Sequence, residues 1–271
     1  MLNFRNTSIA ALVLMLAGWF GGMPTSYYAI SLLAYLAVLV WGSARVDSQF
    51  YLPVVCSGQN NFSGGGGSRG AAGKGGAAGK KQIAISFDDG PVLQYTPELL
   101  RLLKDKSVPA AFFCIGSRVA ARPDLLRQAH EAGHLIGNHS YGHAPLFDLY
   151  GANRMEKELH ATNELVYGII GHRPRLFRPP YGVTNPNLAS AVRRSGMKAI
   201  GWNIRSLDTV AKDEGRLFKK LLRSLQPGAI LLFHDTAKVT LDILPAFIDE
   251  ARERGYDFVR LDELINENPY A

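Results

Sequence analysis

From residue 82 onward the chain alternates short apolar runs with longer stretches whose leucines recur at helical spacing, and that alternation limits the fold more than any other feature. The apolar runs are 82–86, 110–115, 134–138, 176–178, 198–202, 229–234 and 258–261. Between them lie amphipathic stretches at 96–106, 124–132, 149–170, 187–195, 216–225 and 241–254. Strand followed by helix, many times over, predicts a parallel sheet covered by helices. About seven such units in the 190 residues from 82 to 271 predict an α/β fold, a distorted (β/α) barrel of about seven strands. In such barrels chemistry gathers at the C-terminal ends of the strands.

The N-terminal third is different. Residues 6–44 contain no Asp, Glu, Lys or Arg, and the stretch breaks at a turn-like 21–26 into arms 7–20 and 27–41. With its flanks each arm makes roughly 23–27 Å of helix, near the thickness of a hydrocarbon core. Trp19, Tyr27, Tyr28 and Trp41 stand near the arm ends, where aromatic belts form. A transmembrane hairpin or anchor is therefore expected over 1–46, through residues 6–44. A cleaved signal peptide accounts for less, because no small-x-small site follows the first arm and the second arm would survive cleavage. Residues 47–81 read as a juxtamembrane segment and linker, and 63–81 holds only Gly, Ala, Ser and Lys apart from Arg69. With no apolar residue larger than Ala it cannot bury enough surface to fold, so a flexible linker is expected. The compact folded domain is then 82–271.

The formal charge of +7 is uneven: residues 1–81 hold six Lys or Arg against Asp47 alone, and the rest of the chain is nearly balanced. The high pI thus belongs to the leader and linker, and no basic patch interleaved with aromatics points to nucleic acid. Two cysteines, Cys56 and Cys114, are too few for a disulfide framework. Cys114 reads as a buried small hydrophobe, and Cys56 as lying outside the compact domain.

Candidate chemistry stands at the strand ends. The first run ends in Ser86-Phe87-Asp88-Asp89-Gly90, two adjacent carboxylates that cannot both be buried without a cation beside them. By itself Asp-Asp-Gly is usually a turn. The third run leads into His139-Ser140-Tyr141-Gly142-His143, whose two histidines can reach one metal, and with one carboxylate they leave positions open for water and substrate. The fourth ends in Arg178-Pro179-Pro180-Tyr181-Gly182, the fifth in Trp202 and a loop to Asp208, and the sixth in Leu231-Leu232-Phe233-His234-Asp235. Trp202 is expected among the substrate-binding residues.

These five motifs in this order resemble the polysaccharide deacetylase family, the NodB-homology domain of carbohydrate esterase family 4, over about residues 82–265. The resemblance implies a distorted barrel and metal-dependent removal of acetyl groups from N-acetylated sugars of peptidoglycan or a chitin-like polymer. It implies Asp88 as general base, Asp89, His139 and His143 as metal ligands, and Arg178 as the group that orients Asp88. It implies the Tyr181 backbone N–H at the oxyanion, Leu231 against the acetyl methyl, and His234 as general acid tuned by Asp208. Acid and base are expected on opposite walls. The donor set suits Zn2+, and Co2+, Ni2+ or Fe2+ fit it as well. One motif departs: Arg205 stands where the family carries an acid and Thr209 where it carries Trp, which alters the wall of the groove.

Three rivals remain at this stage: a glycan-binding module that has lost activity, a non-haem iron oxygenase, and an esterase or cyclic-amide hydrolase on the same scaffold. The intact acid, base and metal set argues against the first, and the barrel-like alternation against the second. Arg5 and Arg45 beside the hairpin weakly favour a cytoplasmic domain, whereas a glycan substrate favours an extracytoplasmic one, which is the side expected here.

Overall fold

The structure, a computed structural model, describes residues 2–58 and 81–271, so the expected linker lies, apart from its last residue, outside the described residues. The chain opens with two apolar helices, α1 (Phe4–Phe20) and α2 (Thr25–Ala44), joined by a tight turn. They pack against each other where Gly18 lets the Tyr27 ring approach: a Cβ there would lie 2.5 Å from Tyr27 Cε1. Ser8 Oγ and Tyr35 OH share a hydrogen bond of 2.8 Å across the pair. Among the described residues α2 alone is long and apolar enough to cross a membrane, and α1, at 17 residues, is shorter.

A short strand β1 (Val54–Val55) follows, and β2 (Lys81–Asp88) begins after the undescribed segment. The alternation then runs α3 (Thr96–Asp105), β3 (Ala110–Cys114), α4 (Gly116–Ala121), α5 (Pro123–Glu131) and β4 (Leu135–Asn138). It continues through α6 (Ala152–Ile170), β5 (Leu176–Phe177), α7 (Pro186–Arg194), β6 (Lys198–Ile200) and β7 (Ile204–Arg205). The last elements are α8 (Glu214–Ser224), β8 (Ile230–His234), α9 (Lys238–Glu253), β9 (Tyr256–Phe258) and α10 (Leu261–Ile265). The sheet has nine strands rather than about seven, in the order β1-β6-β5-β4-β3-β2-β8-β7, with β9 on the lower part of β2. The named strands pair in parallel and β1 and β7 form the two ends, so the sheet curls without closing. Three of the described strands are two residues each, too short for a periodic signal: β5 falls within the apolar run 176–178, whereas β1 and β7 are unforeseen.

Side-chain alternation divides the core. Ile85, Phe87, Phe112, Leu231 and Phe233 face outward beneath helices α3, α8 and α9. Ala84, Phe113, Leu176, Ile200 and Ile230 face inward, with Leu261, Leu264 and Ile265 of α10 packed among them. The polar end of that inner layer is where Asp88, Arg178 and His234 emerge.

Residues 46–58 belong to this packing. Val46, Leu52 and Val54 are buried with Phe177, Leu188 and Met197. Cys56, expected outside the compact domain, is half-buried against Gly201, where a Cβ would lie 2.7 Å from its Sγ. The strand pairing of Val54 and Val55 with Ala199 and Ile200 carries it there, a non-local contact that composition does not reveal. Each buried Val or Leu side chain stabilises the fold by about 1.5–3 kcal/mol. A fragment beginning at residue 82 should therefore be less stable than one beginning at 46 by at least roughly 4 kcal/mol. Urea unfolding of the two fragments, with equal midpoints as the contrary result, tests this.

Candidate active site

Asp88 ends β2 in register with Phe113 of β3 and His234 of β8. Its side chain turns inward and is 3% exposed. Arg178, fully buried just past β5, donates from Nη1 to Asp88 Oδ1 and to Ser86 Oγ, each at 2.8 Å. Its Nη2 donates to the Gly201 carbonyl at 3.0 Å, and its guanidinium lies 4.1 Å from the centre of the Phe113 ring. Planar, fixed in charge and rich in donors, an arginine suits such a pocket better than a lysine would.

Asp89, His139 and His143 converge beside Asp88. Asp89 Oδ1 is 3.6 Å from both His139 Nε2 and His143 Nε2, and one ligand atom from each residue lies within 4.8 Å of the others. A tetrahedral ion with bonds near 2.1 Å needs ligand atoms about 3.4 Å apart, so the set fits a divalent cation. A further observation supports the fit: His139 Nδ1 is 2.8 Å from the Arg178 carbonyl. Nδ1–H therefore donates there, and the Nε2 lone pair is left facing the site. Burial raises the Asp89 carboxyl, but the imidazoles of His139, His143 and His234 around it outweigh burial and hold the carboxyl well below the usual range. Burial, with His139 beside it, lowers the His143 pKa and so favours the neutral, ligating imidazole.

The other flank belongs to His234. Its Nδ1 is 2.7 Å from Asp208 Oδ1, so Nε2 is the nitrogen left for the cavity. Burial lowers the His234 pKa, yet the hydrogen bond and charge of Asp208, with Asp88 and Asp89 beyond, raise it above the ordinary histidine value. Asp208 itself is buried, and its Oδ2 accepts from the His234 backbone N–H at 2.7 Å and from Thr240 Oγ1 at 2.6 Å.

These groups line one cavity of about 180 Å³. Pro179, Tyr181, Gly182, Trp202, Arg205, Thr209 and Leu232 complete its lining. Two expectations are corrected. Leu231 does not reach the cavity: it is 0% exposed in the outer core, and Leu232, two residues before His234, shares the inward face. Period two along a strand is the reason, and the motif alone does not state which parity faces in. Acid and base do not stand on opposite walls either, since Asp88 and His234 are register partners on neighbouring strands. One is held by Arg178 and the other by Asp208.

The loops are held by residues that the motifs did not include. Glu158 of α6 accepts from the N–H groups of Tyr141 and Gly142 at 3.0 and 2.7 Å, and Arg118 donates to the Asp89 carbonyl at 2.7 Å. Gly90 must lack a side chain: a Cβ there would lie 1.8 Å from Asp235 Oδ2. Tyr181 takes a left-handed φ of +58°, with its ring edge-on to His143 at 4.6 Å. No local signal marks Glu158 or Arg118, because each reaches its loop from a distant helix.

Comparison with known proteins agrees with this geometry. The family profile described as "Polysaccharide deacetylase" matches residues 75–200. The chain is 32% identical over 192 residues to the peptidoglycan-N-acetylmuramic acid deacetylase PdaA of Bacillus subtilis, covering 69% of this chain and 73% of that protein. It is 35% identical over 187 residues to the peptidoglycan-N-acetylglucosamine deacetylase PgdA of Listeria monocytogenes, over 69% of this chain and 39% of that one. The chain thus spans about two fifths of the length of that relative. Among solved structures, the Bc1960 peptidoglycan N-acetylglucosamine deacetylase superposes with a TM-score of 0.70 at 25% identity, covering 80% of this chain and 95% of the other.

Replacing Arg178 by Met would leave the buried Asp88 carboxylate without its partner, and stability should fall by about 3–5 kcal/mol. Denaturant unfolding reads the change, and a loss under about 1 kcal/mol would contradict the role given to this pair.

Proposed function

Because this chain belongs to the polysaccharide deacetylase family, we propose that it is a metal-dependent hydrolase removing acetyl groups from N-acetylated sugars of a polysaccharide, with peptidoglycan the substrate that its named relatives suggest. The observation that carries the reading is the convergence of Asp88, Asp89, His139, His143 and His234 on one cavity. An inactive glycan-binding module would have no need of such a set.

Asp89, His139 and His143 hold the divalent cation, with Zn2+ the first choice. When bound, it makes water more acidic and polarises the amide carbonyl. Asp88, kept in place by Arg178, accepts the proton of the attacking water. The Tyr181 backbone N–H donates to the carbonyl oxygen as charge builds there. Leu232 takes the place expected of Leu231 against the acetyl methyl, and Trp202 contributes the wall of the sugar site. As the carbon–nitrogen bond breaks, His234 delivers a proton from Nε2 to the leaving amine, and Asp208 keeps that imidazole protonated near neutral pH. Arg205, exposed at the rim with its guanidinium 5.7 Å from the Trp202 ring, faces substrate where the family carries an acid. The apolar helix pair anchors the protein to a membrane, with the catalytic face extracytoplasmic.

The full chain in detergent, loaded with Zn2+, should release acetate from peptidoglycan or chitin oligomers. Chelation should abolish release, and Asp88→Asn should lower it by about 10²–10⁴-fold while retaining the metal. Undiminished turnover by the Asn variant would remove Asp88 as base.

The pH profile tests the acid separately. His234 carries a raised pKa and acts protonated, so kcat should decline as pH rises through that value. Asp208→Asn removes the stabilising charge, so the decline should move to lower pH; an unmoved limb would exclude the Asp208–His234 pair from the proton transfer.

A further inference from the structure

The helix pair is joined to the active-site wall without slack. Thr184, 2% exposed, donates from its backbone N–H to the Ser43 carbonyl at 3.1 Å and from Oγ1 to the Gly42 carbonyl at 3.3 Å. Ser43 and Gly42 are in the last turn of α2. Thr184 is three residues from Tyr181, whose ring rests on His143. Three residues of chain span at most about 11 Å. The end of the apolar helix and the metal ligands are therefore near neighbours.

Further contacts hold the same junction. Phe4 donates its N–H to the Phe50 carbonyl at 2.9 Å, and Tyr51 OH donates to the Leu39 carbonyl at 3.1 Å. A Cβ on Gly42 would lie 2.3 Å from the Phe50 ring, so helix and domain meet in close contact. Phe4, Trp41, Phe50 and Tyr51 cluster at this end of the pair, the composition of a membrane–water interface.

The segment 59–80 does not separate the two parts. Gly58 donates to the Gly228 carbonyl at 2.8 Å, and Gly228 donates to the Gln82 carbonyl at 2.8 Å. Gly58 and Gln82 therefore both bond to Gly228, at the start of β2 and β8, the end of the sheet away from the site. Residues 46–58, which do join α2 to the sheet, are packed into the core. Beside Thr184, Asn185 Nδ2 donates to the Asp148 carbonyl at 2.8 Å, and the adjoining Leu146 and Leu149 are 63% and 77% exposed. Two exposed leucines thus stand beside this junction.

From this geometry we infer that the substrate is an N-acetylated glycan carried on a membrane lipid at the bilayer surface, not polymer remote from it. This rests on the deacetylase reading and on α2 lying in the bilayer. A cavity held roughly 10–15 Å from the membrane by hydrogen bonds and a packed strand cannot search a thick polymer. Glycan that the bilayer itself presents arrives within reach.

The test places the Zn2+-loaded full chain in phosphatidylcholine vesicles. An N-acetylglucosamine oligomer joined to phospholipid by a short spacer in the same vesicles is compared with the free oligomer at equal bulk concentration. Acetate release should be at least ~100-fold faster from the lipid-joined oligomer. In parallel, a donor dye on Leu149→Cys in a Cys56→Ser background reports energy transfer to headgroup-labelled lipid. Transfer should be strong, as for a closest approach of about 10–15 Å. Equal rates from the two oligomers, or weak transfer from a chain that floats with the vesicles, would overturn the inference while leaving the deacetylase reading standing. Failure to float would overturn it through its membrane premise. Strong transfer with no acetate from either oligomer would instead overturn the deacetylase reading and the substrate assignment with it.

Discussion

The buried pair of Arg178 and Asp88 is the interaction on which the site depends. A guanidinium with no exposed surface carries a heavy desolvation cost, and it is tolerable only because its donors find Asp88, Ser86 and the Gly201 carbonyl. Those partners lie on β2 and just past β6, so the arginine ties separate strands together across the barrel interior. The backbone of the same residue fixes His139, since its carbonyl accepts from Nδ1. One residue thereby orients both the carboxylate proposed as base and an imidazole proposed as metal ligand. Displacing it would disturb both at once.

Around that centre the backbone is strained in a particular way. Of the eight described non-glycine residues at positive φ, Asp89, Ser140, His143, Tyr181 and Leu207 sit in the loops about the cavity. Such conformations cost of order 1 kcal/mol or more each and persist where surrounding bonds over-determine them. Here the restraints are visible: Arg118 on the Asp89 carbonyl, Asn138 on the Ser140 N–H and Glu158 on the loop between the two histidines. The result is a preorganised cavity whose polar groups are aimed before substrate enters.

The N-terminal third is integrated with this architecture. Read as sequence it divides into hairpin, juxtamembrane segment and linker; in three dimensions residues 46–58 complete a core and add an edge strand to the sheet. The end of α2 bonds to the loop that follows Tyr181, a residue of the cavity lining. The membrane attachment and the substrate access proposed above would then be two aspects of one geometry.

Much of this was legible in the chain. Periodic burial leaves a local signature, so seven of the nine described strands and six of the helices follow from the spacing of apolar residues, and the ordered motifs at strand ends point to the chemistry. What the sequence could not reveal depends on non-local packing. The two-residue strands β1 and β7 exist only because a neighbour is there to pair with. Whether Leu231 or Leu232 faces the cavity is a matter of strand parity, set by which face the helices cover. Asp88 and His234 lie side by side because β8 enters the sheet next to β2, an order that chain position does not encode. The sequence by itself determined which groups are present, the carboxylates and imidazoles proposed as base, acid and ligand set, because side-chain identity is local. Tertiary structure decided their distances, their tautomers and their nearness to the apolar helices, because those are properties of contacts between residues far apart in the chain.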